Sequence, residues 1–280
     1  MITYFFEIII IFIVFRIVSV FISIKKSKNT KIIKGAEGFE YKKGKTGILL
    51  IHGFTSSAWD HRALGEYLAK KDITVIAPLV KGHGTCPENL ASTDKDQWLK
   101  SVEESLKKLK KITEKQIVAG DSFGGNLALL LASRYKVDGI ITMGTPIFFK
   151  NERFLKSILP VVRLVKSYQK KWYHNELPED IRKERLTYKK IPLNAISEVR
   201  YLINLSKESL SKITAPILIM QSTTDFGVGE QSVHFINDNV SSKKKKVSWV
   251  KDAYHVFIID KNKEKSFKTI YSFIKEINDN

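Results

Sequence analysis

From residue 46 onward, short β-branched apolar runs alternate with amphipathic stretches, and this rhythm narrows the possible folds more than any other feature. The runs are "TGILLIH", "ITVIAP", "QIVAG", "GIITMG" and "APILIMQS", with a weaker alternating run in "KKVSWVK". Between them lie the helix candidates "WDHRALGEYLAKKD", "DQWLKSVEESLKKLKK", "NLALLLASRY" and "KEKSFKTIYSFIKEI". In the second, Trp98, Val102, Leu106 and Leu109 line one face and charges line the other. Strands that are apolar on both faces need cover on both. The pattern therefore predicts an α/β fold, a mostly parallel sheet with helices on both faces. A short run, "GFEYKK", is expected to add an edge strand.

The rhythm breaks over 148–207. There "FFKNERFLKSILPVVRLVKSYQKKWYHNELPEDIRKERLTYKK" reads as helical and amphipathic, interrupted by Pro160 and Pro178. Because it falls between two strand candidates, it is expected to be a helical cap inserted over the carboxyl edge of the sheet. The expected division is a membrane anchor over 1–26, a core formed by 27–147 and 208–280, and the cap over 148–207.

The anchor rests on the opening "MITYFFEIIIIFIVFRIVSVFISIKKSKNTK". Thr3 to Ile24 is 22 residues, about 33 Å as a helix, enough to cross a ~30 Å hydrocarbon core. Arg16 costs roughly 2.5–3.5 kcal/mol at mid-membrane, and Glu7 less near the end. Sixteen Ile, Phe and Val residues, each contributing roughly −0.3 to −0.6 kcal/mol, outweigh both. No Lys or Arg precedes the run and no small-x-small site follows, which disfavours a cleaved signal. Lys25, Lys26, Lys28, Lys31 and Lys34 follow it. The positive-inside rule then expects a single-pass protein of the cell membrane with its C-terminal domain in the cytoplasm. A helix lying in the interface, with Arg16 snorkelling to water, is the alternative.

A net charge of +18 calls for a partner or a solvation role. The lysines are dispersed and no nucleic-acid module is visible, so a membrane surface is expected rather than nucleic acid. Residues 150–190 carry 12 Lys/Arg against 5 Asp/Glu, a basic face suited to anionic headgroups. The single cysteine, Cys86, permits no internal disulfide, and its place before Pro87 in a polar loop argues against a nucleophile.

The chemistry centres on Gly120-Asp121-Ser122-Phe123-Gly124, a G-x-S-x-G placed directly after a strand candidate and before a helix candidate. That context is the one a nucleophile elbow requires. A serine needs a base, and the base an orienting carboxylate. The order serine, acid, histidine selects Asp225 in "QSTTDFGVGEQS" and His255 in "WVKDAYHVFIID", each in a loop just beyond a strand. Other candidates fit less well. His234 falls mid-helix, His61 and His174 sit in charged stretches and read as solvated, and His83 precedes the serine. Asp252 is too local to His255, and Asp121 should point away in an elbow. Two main-chain N–H groups should face the oxyanion: that of Phe123, and that of Phe54 in "LLIHGFTSS". Only the main chain of Phe54 matters to that role, and His52 reads as a loop organiser.

With these residues in hand, the chain resembles the α/β-hydrolase superfamily, in its bacterial carboxylesterase and monoacylglycerol lipase branch. The shared segments are "LLIHGFTSSAWDHRALGEYLA", "APLVKGHGTCPENL", "DQWLKSVEESL", "GIITMGTPIF", "APILIMQSTTD" and "YHVFIID". They cover about residues 45–280 and thin out over 150–207. The resemblance implies a serine hydrolase that cleaves small-molecule or lipid-derived carboxylic esters through an acyl-enzyme, without metal or cofactor. Ser122, Asp225 and His255 match the branch's triad, and Phe54 and Phe123 its oxyanion donors. "GDSFGG" is similar to the hormone-sensitive lipase branch, but "HGFT" stands where that branch has HGGG. Phe148, Phe149, Phe154, Leu155, Ile158 and Leu159 are candidates for an acyl pocket. An acyltransferase or lysophospholipase on the same triad, or a non-catalytic binding protein, stays open, as does the oligomeric state.

Overall fold

A computed structural model describes residues 31–148, 166–171, 178–261 and 263–279, with Glu7, Ile10, Ile11, Val14, Phe15 and Val18. The strands are β1 (Phe39–Tyr41), β2 (Thr46–Ile51), β3 (Thr74–Ala77), β4 (Lys115–Asp121), β5 (Gly139–Met143), β6 (Tyr168–Lys170), β7 (Lys190–Pro192), β8 (Ile217–Ser222) and β9 (Lys245–Val250). The helices are α1 (Arg62–Ala69), α2 (Pro87–Ala91), α3 (Lys95–Ile112), α4 (Phe123–Arg134), α5 (Glu179–Glu184), α6 (Leu193–Glu208), α7 (Gln231–Asn239) and α8 (Lys263–Asn278).

Seven strands make one sheet in the order β1-β3-β2-β4-β5-β8-β9. All pairs are parallel except the edge pair β1–β3. Every expected core strand is present, for the reason legible in their composition. In β2, Ile48 and Leu50 face one layer with α1 and α8, while Leu49 and Ile51 face the other with α3 and α4. Each central strand is thus buried twice, and each layer of helices supplies one cover. Helix α3 opens on a capping box between Asp94 and Gln97. It buries the face carrying Trp98, Val102, Leu106 and Leu109. The Trp98 indole N–H donates to Thr93 Oγ1 at 2.9 Å, so its polar end is satisfied inside the core.

Within the expected helical cap, the described residues differ from the expectation. Tyr168–Lys170 pairs antiparallel with Lys190–Pro192 as a two-stranded ribbon, with α5 between them. Three-residue strands leave no periodic trace in sequence, and cross-strand pairing overrides the helical preference of neighbouring lysines. Helix α6 begins inside the 148–207 span but packs as core. Leu202 and Ile203 share a buried cluster with Leu127 and Leu130 of α4, and Asn126 Nδ2 donates to Ser206 Oγ at 2.9 Å. The proposed acyl-pocket residues Phe149, Phe154, Leu155, Ile158 and Leu159 lie outside the described residues, as does His174. Phe148 packs edge-on against Phe235, with ring centroids 5.3 Å apart.

The expected anchor, residues 3–24, also lies outside the described residues apart from six positions. Those six, Glu7, Ile10, Ile11, Val14, Phe15 and Val18, are helical and exposed. Among the described residues no helix is long and apolar enough to cross a membrane.

Candidate active site

Ser122 stands at the junction of β4 and α4 with φ 50° and ψ −125°. This is a left-handed conformation that a non-glycine residue holds only when its surroundings enforce it. Here the enforcement comes from backbone packing. A Cβ on Gly120 would lie 2.2 Å from the carbonyl carbon of Gly124, and one on Gly124 would lie 2.1 Å from Ile51 O. Only hydrogen fits at either position, so the turn closes tightly and the serine is lifted over the strand ends. The Ser122 N–H donates to Met143 O at 2.7 Å, which fixes the turn to β5.

Two other loops meet it. His255, after β9, places Nε2 2.9 Å from Ser122 Oγ and Nδ1 2.6 Å from Asp225 Oδ2. Asp225, after β8, accepts the Gln221 side-chain amide on Oδ2 at 2.9 Å. Its Oδ1 accepts the N–H groups of Gly227 at 2.8 Å and Val228 at 3.0 Å. Burial alone would push this carboxyl up. The hydrogen bond and charge of His255, with the Val228 and Gly227 amides, outweigh it and hold Asp225 below the ordinary 3.8. The His255 loop is pinned in turn, since Thr224 Oγ1 donates to Ala253 O at 2.7 Å and Asp260 accepts the Tyr254 N–H at 3.0 Å. The structure therefore brings Ser122, His255 and Asp225 into one hydrogen-bonded line, from loops that the parallel sheet delivers to the same edge.

Phe123 is the first residue of α4, so its N–H is one of those that a helix leaves unpaired. The loop carrying Phe54 passes close by, and a Cβ on Gly53 would sit 3.3 Å from Ser122 Cβ. The Phe54 side chain packs beside it. Its ring lies 6.0 Å from Phe123, 5.8 Å from Trp98 and 6.0 Å from His83, centroid to centroid. Both phenylalanines are thus held in one aromatic cluster against α3.

The remaining histidines sort by burial. His52 is an organiser, as expected: its Nε2 accepts the Val80 N–H at 3.1 Å and its Nδ1 lies 2.9 Å from Gly53 O. Burial pushes its pKa down, which keeps the ring neutral. His83 is buried and pushed well below the ordinary histidine range, by burial first and by the neighbouring His52 second. His234 is exposed on α7. The expectation of a solvated His61 is corrected, because that ring is fully buried in the 3-10 turn Ala58–His61. Its Nε2 lies 2.8 Å from Asp121 Oδ1, a close contact off hydrogen-bond alignment. A buried pair of Asp60 and Arg185, Nη2 to Oδ2 2.6 Å, was also missed. The two partners are 125 residues apart, and no local pattern marks them.

Residues 42–262 match the family described as "Serine aminopeptidase, S33" (Hydrolase_4). The chain belongs to this family. Among relatives of this S33 chain, a Bacillus subtilis protein named carboxylesterase is 30% identical over 240 residues, covering 85% of this chain and 96% of the relative. A thermostable monoacylglycerol lipase of a Bacillus species is 30% identical, with 84% and 92% covered. A solved structure described under LipS and LipT, metagenome-derived lipolytic enzymes, shares the fold with TM-score 0.81 at 24% identity, covering 88% of this chain and 100% of that one. A Paleococcus ferrophilus monoacylglycerol lipase does so with TM-score 0.71 at 17% identity, covering 86% and 98%. The seven-stranded sheet and its helices are thus those of the α/β-hydrolase fold.

The lowered Asp225 pKa has a consequence for stability in this S33 chain. The native state favours the ionised form, so its stabilisation is complete above 3.8 and is lost as pH falls through the lower folded-state value. Urea titrations of the wild type and Asp225→Asn should show a stability gap that shrinks as pH drops below about 4. A gap that widens on acidification contradicts the assignment.

Proposed function

We propose that this chain is a serine hydrolase of carboxylic esters, working through an acyl-enzyme on Ser122. The observation that carries the reading is the unbroken line from Ser122 Oγ to His255 Nε2 and from His255 Nδ1 to Asp225 Oδ2. In this reading His255 takes the hydroxyl proton as Ser122 attacks the ester carbonyl. Asp225 holds the imidazole with Nδ1 protonated and stabilises the cation that forms. The N–H groups of Phe54 and Phe123 receive the oxyanion, and each such donor contributes on the order of 3 kcal/mol to barrier lowering. His255 then protonates the leaving alcohol, and water activated by the same base releases the acid. No step calls on a metal or cofactor.

Ester rather than peptide chemistry is favoured by the names of the two relatives at 30% identity, carboxylesterase and monoacylglycerol lipase. The family description, serine aminopeptidase, makes hydrolysis of an aminoacyl amide the second reading. The substrate is a small-molecule or lipid-derived ester, received under the 148–207 cap. Against a series of p-nitrophenyl esters, monoacylglycerols and aminoacyl amides, the wild type should turn over esters. Ser122→Ala should lower kcat by about 10³-fold or more. Near-normal esterase activity in that variant, or a preference for the amides, contradicts the proposal.

The proposal also places the enzyme at a membrane. Ile10, Ile11, Val14, Phe15 and Val18 are helical, and each is roughly half exposed or more. They belong to a run over 3–24 in which Ile, Phe and Val dominate, a composition suited to lipid. Residues 1–26 as a single-pass anchor, with the catalytic domain in the cytoplasm and the basic cap against anionic headgroups, is the arrangement we favour. The full chain should float with phosphatidylglycerol-containing vesicles on a density gradient, and recovery of the protein free of vesicles contradicts the anchor.

A further inference from the structure

Within the 148–207 insertion, residues 185–188 form a strap that is bonded along its length to the loop that follows β2. Ser57 Oγ donates to Leu186 O at 2.8 Å. Thr55 O accepts the Tyr188 N–H at 2.9 Å and the Thr187 hydroxyl at 3.0 Å. Arg185 grips the buried Asp60 with Nε 3.0 Å from Oδ1 and Nη2 2.6 Å from Oδ2, and Asp60 accepts the Ser56 hydroxyl. Thr187 Oγ1 accepts from Lys171 Nζ at 2.8 Å. With its lone pairs facing an amine, the threonine hydroxyl has its proton free to point at Thr55 O.

Thr55 is the residue this arrangement acts on. It is buried and β-branched, and its φ of 65° is one that such residues rarely hold unless held there. It directly follows Phe54. On the other side of Phe54, Gly53 O accepts the Ser56 N–H at 3.1 Å. The Phe54 N–H shares its peptide plane with Gly53 O, and the Ser56 N–H that holds Gly53 O shares its plane with the Thr55 O held by the strap, so the bonds run in series from Thr187 to the Phe54 N–H.

We propose that Thr187 is a positioning residue of the oxyanion hole, fixing Thr55 and through it the Phe54 N–H, with Lys171 orienting the Thr187 hydroxyl. The insertion then sets the electrostatics of the reaction. Burial pushes the Lys171 amine well below the ordinary lysine range, with the Arg185 charge beside it acting the same way. Charged or neutral, the amine remains a donor to Thr187. The proposal rests on the reading of Ser122 as nucleophile and Phe54 N–H as oxyanion donor.

The test compares full-length wild type, Thr187→Val, Thr187→Ser and Lys171→Met, with active sites counted by fluorophosphonate labelling. Thr187→Val keeps the side-chain shape and removes the donor. Per labelled site its kcat should fall about ten- to a hundredfold with KM within about twofold, because misdirecting one donor weakens transition-state binding alone. Affinity for a trifluoromethyl ketone should fall in parallel with kcat/KM, and Thr187→Ser should restore both. An unchanged kcat per site, a change in KM alone, or a loss that serine does not restore overturns the proposal. If Thr187→Val does not fold, Lys171→Met decides: a fall in kcat at constant KM supports the role, and an unchanged kcat overturns it. Ser122→Ala in the same assay keeps the two questions apart. Activity surviving in that variant removes the hydrolase reading itself, whereas a silent Thr187→Val against an inactive Ser122→Ala removes only the positioning role.

Discussion

Everything at the site depends on how closely three backbones approach one another at the end of β4. Gly124 lies against the carbonyl of Ile51, and Gly120 lies against Gly124. That contact forces the chain to reverse within one residue and leaves Ser122 in a left-handed conformation above the strand ends. The same approach brings the loop after β2 alongside the serine, so Ser122 and the Phe54 main chain are placed by one contact. Larger residues at either glycine would open the turn and separate them. The strain at Ser122 is held by the parallel sheet, whose central strands are buried on both faces.

A second layer of order surrounds this turn. Asp121 faces His61, and Asp60 is gripped by Arg185, all four being buried or nearly so. An ion pair at such depth adds little net stability, because desolvation offsets attraction. Its geometry is nonetheless specific, since a planar guanidinium bound to both carboxylate oxygens fixes direction as well as distance. Arg185 belongs to the inserted segment and Asp60 to the core, so the pair sets where the insertion meets the loop after β2. The hydroxyls of Ser57 and Thr187 extend that registration to the residue next to Phe54.

How much of this was legible in the sequence follows from the range of each interaction. The strands β2, β3, β4, β5 and β8 announce themselves as short runs apolar on both faces, and α3 as a 3.6-residue stripe. The meeting of Ser122, Asp225 and His255 was legible too, because parallel strands deliver their following loops to one edge. The β6–β7 ribbon was not, being two three-residue strands paired with each other. His61 misled because its neighbours Asp60 and Arg62 are charged, whereas the 3-10 turn rotates it inward onto Asp121. The strap was hidden for a different reason. Thr187 reaches Thr55 across 132 residues, and nothing local in "ERLTYKK" signals a partner so distant.

The central claim is that Ser122 is the atom on which the substrate's acyl group rests during turnover. It is tested most directly by acid-quenching the full-length protein during steady-state hydrolysis of a p-nitrophenyl ester and mapping the acyl mass by peptide mass spectrometry. The account predicts a single acyl adduct, on Ser122, that forms during turnover and decays as the acid product is released. An adduct on any other side chain, or full turnover with no covalent species and no labelling of Ser122 by a fluorophosphonate, would contradict it.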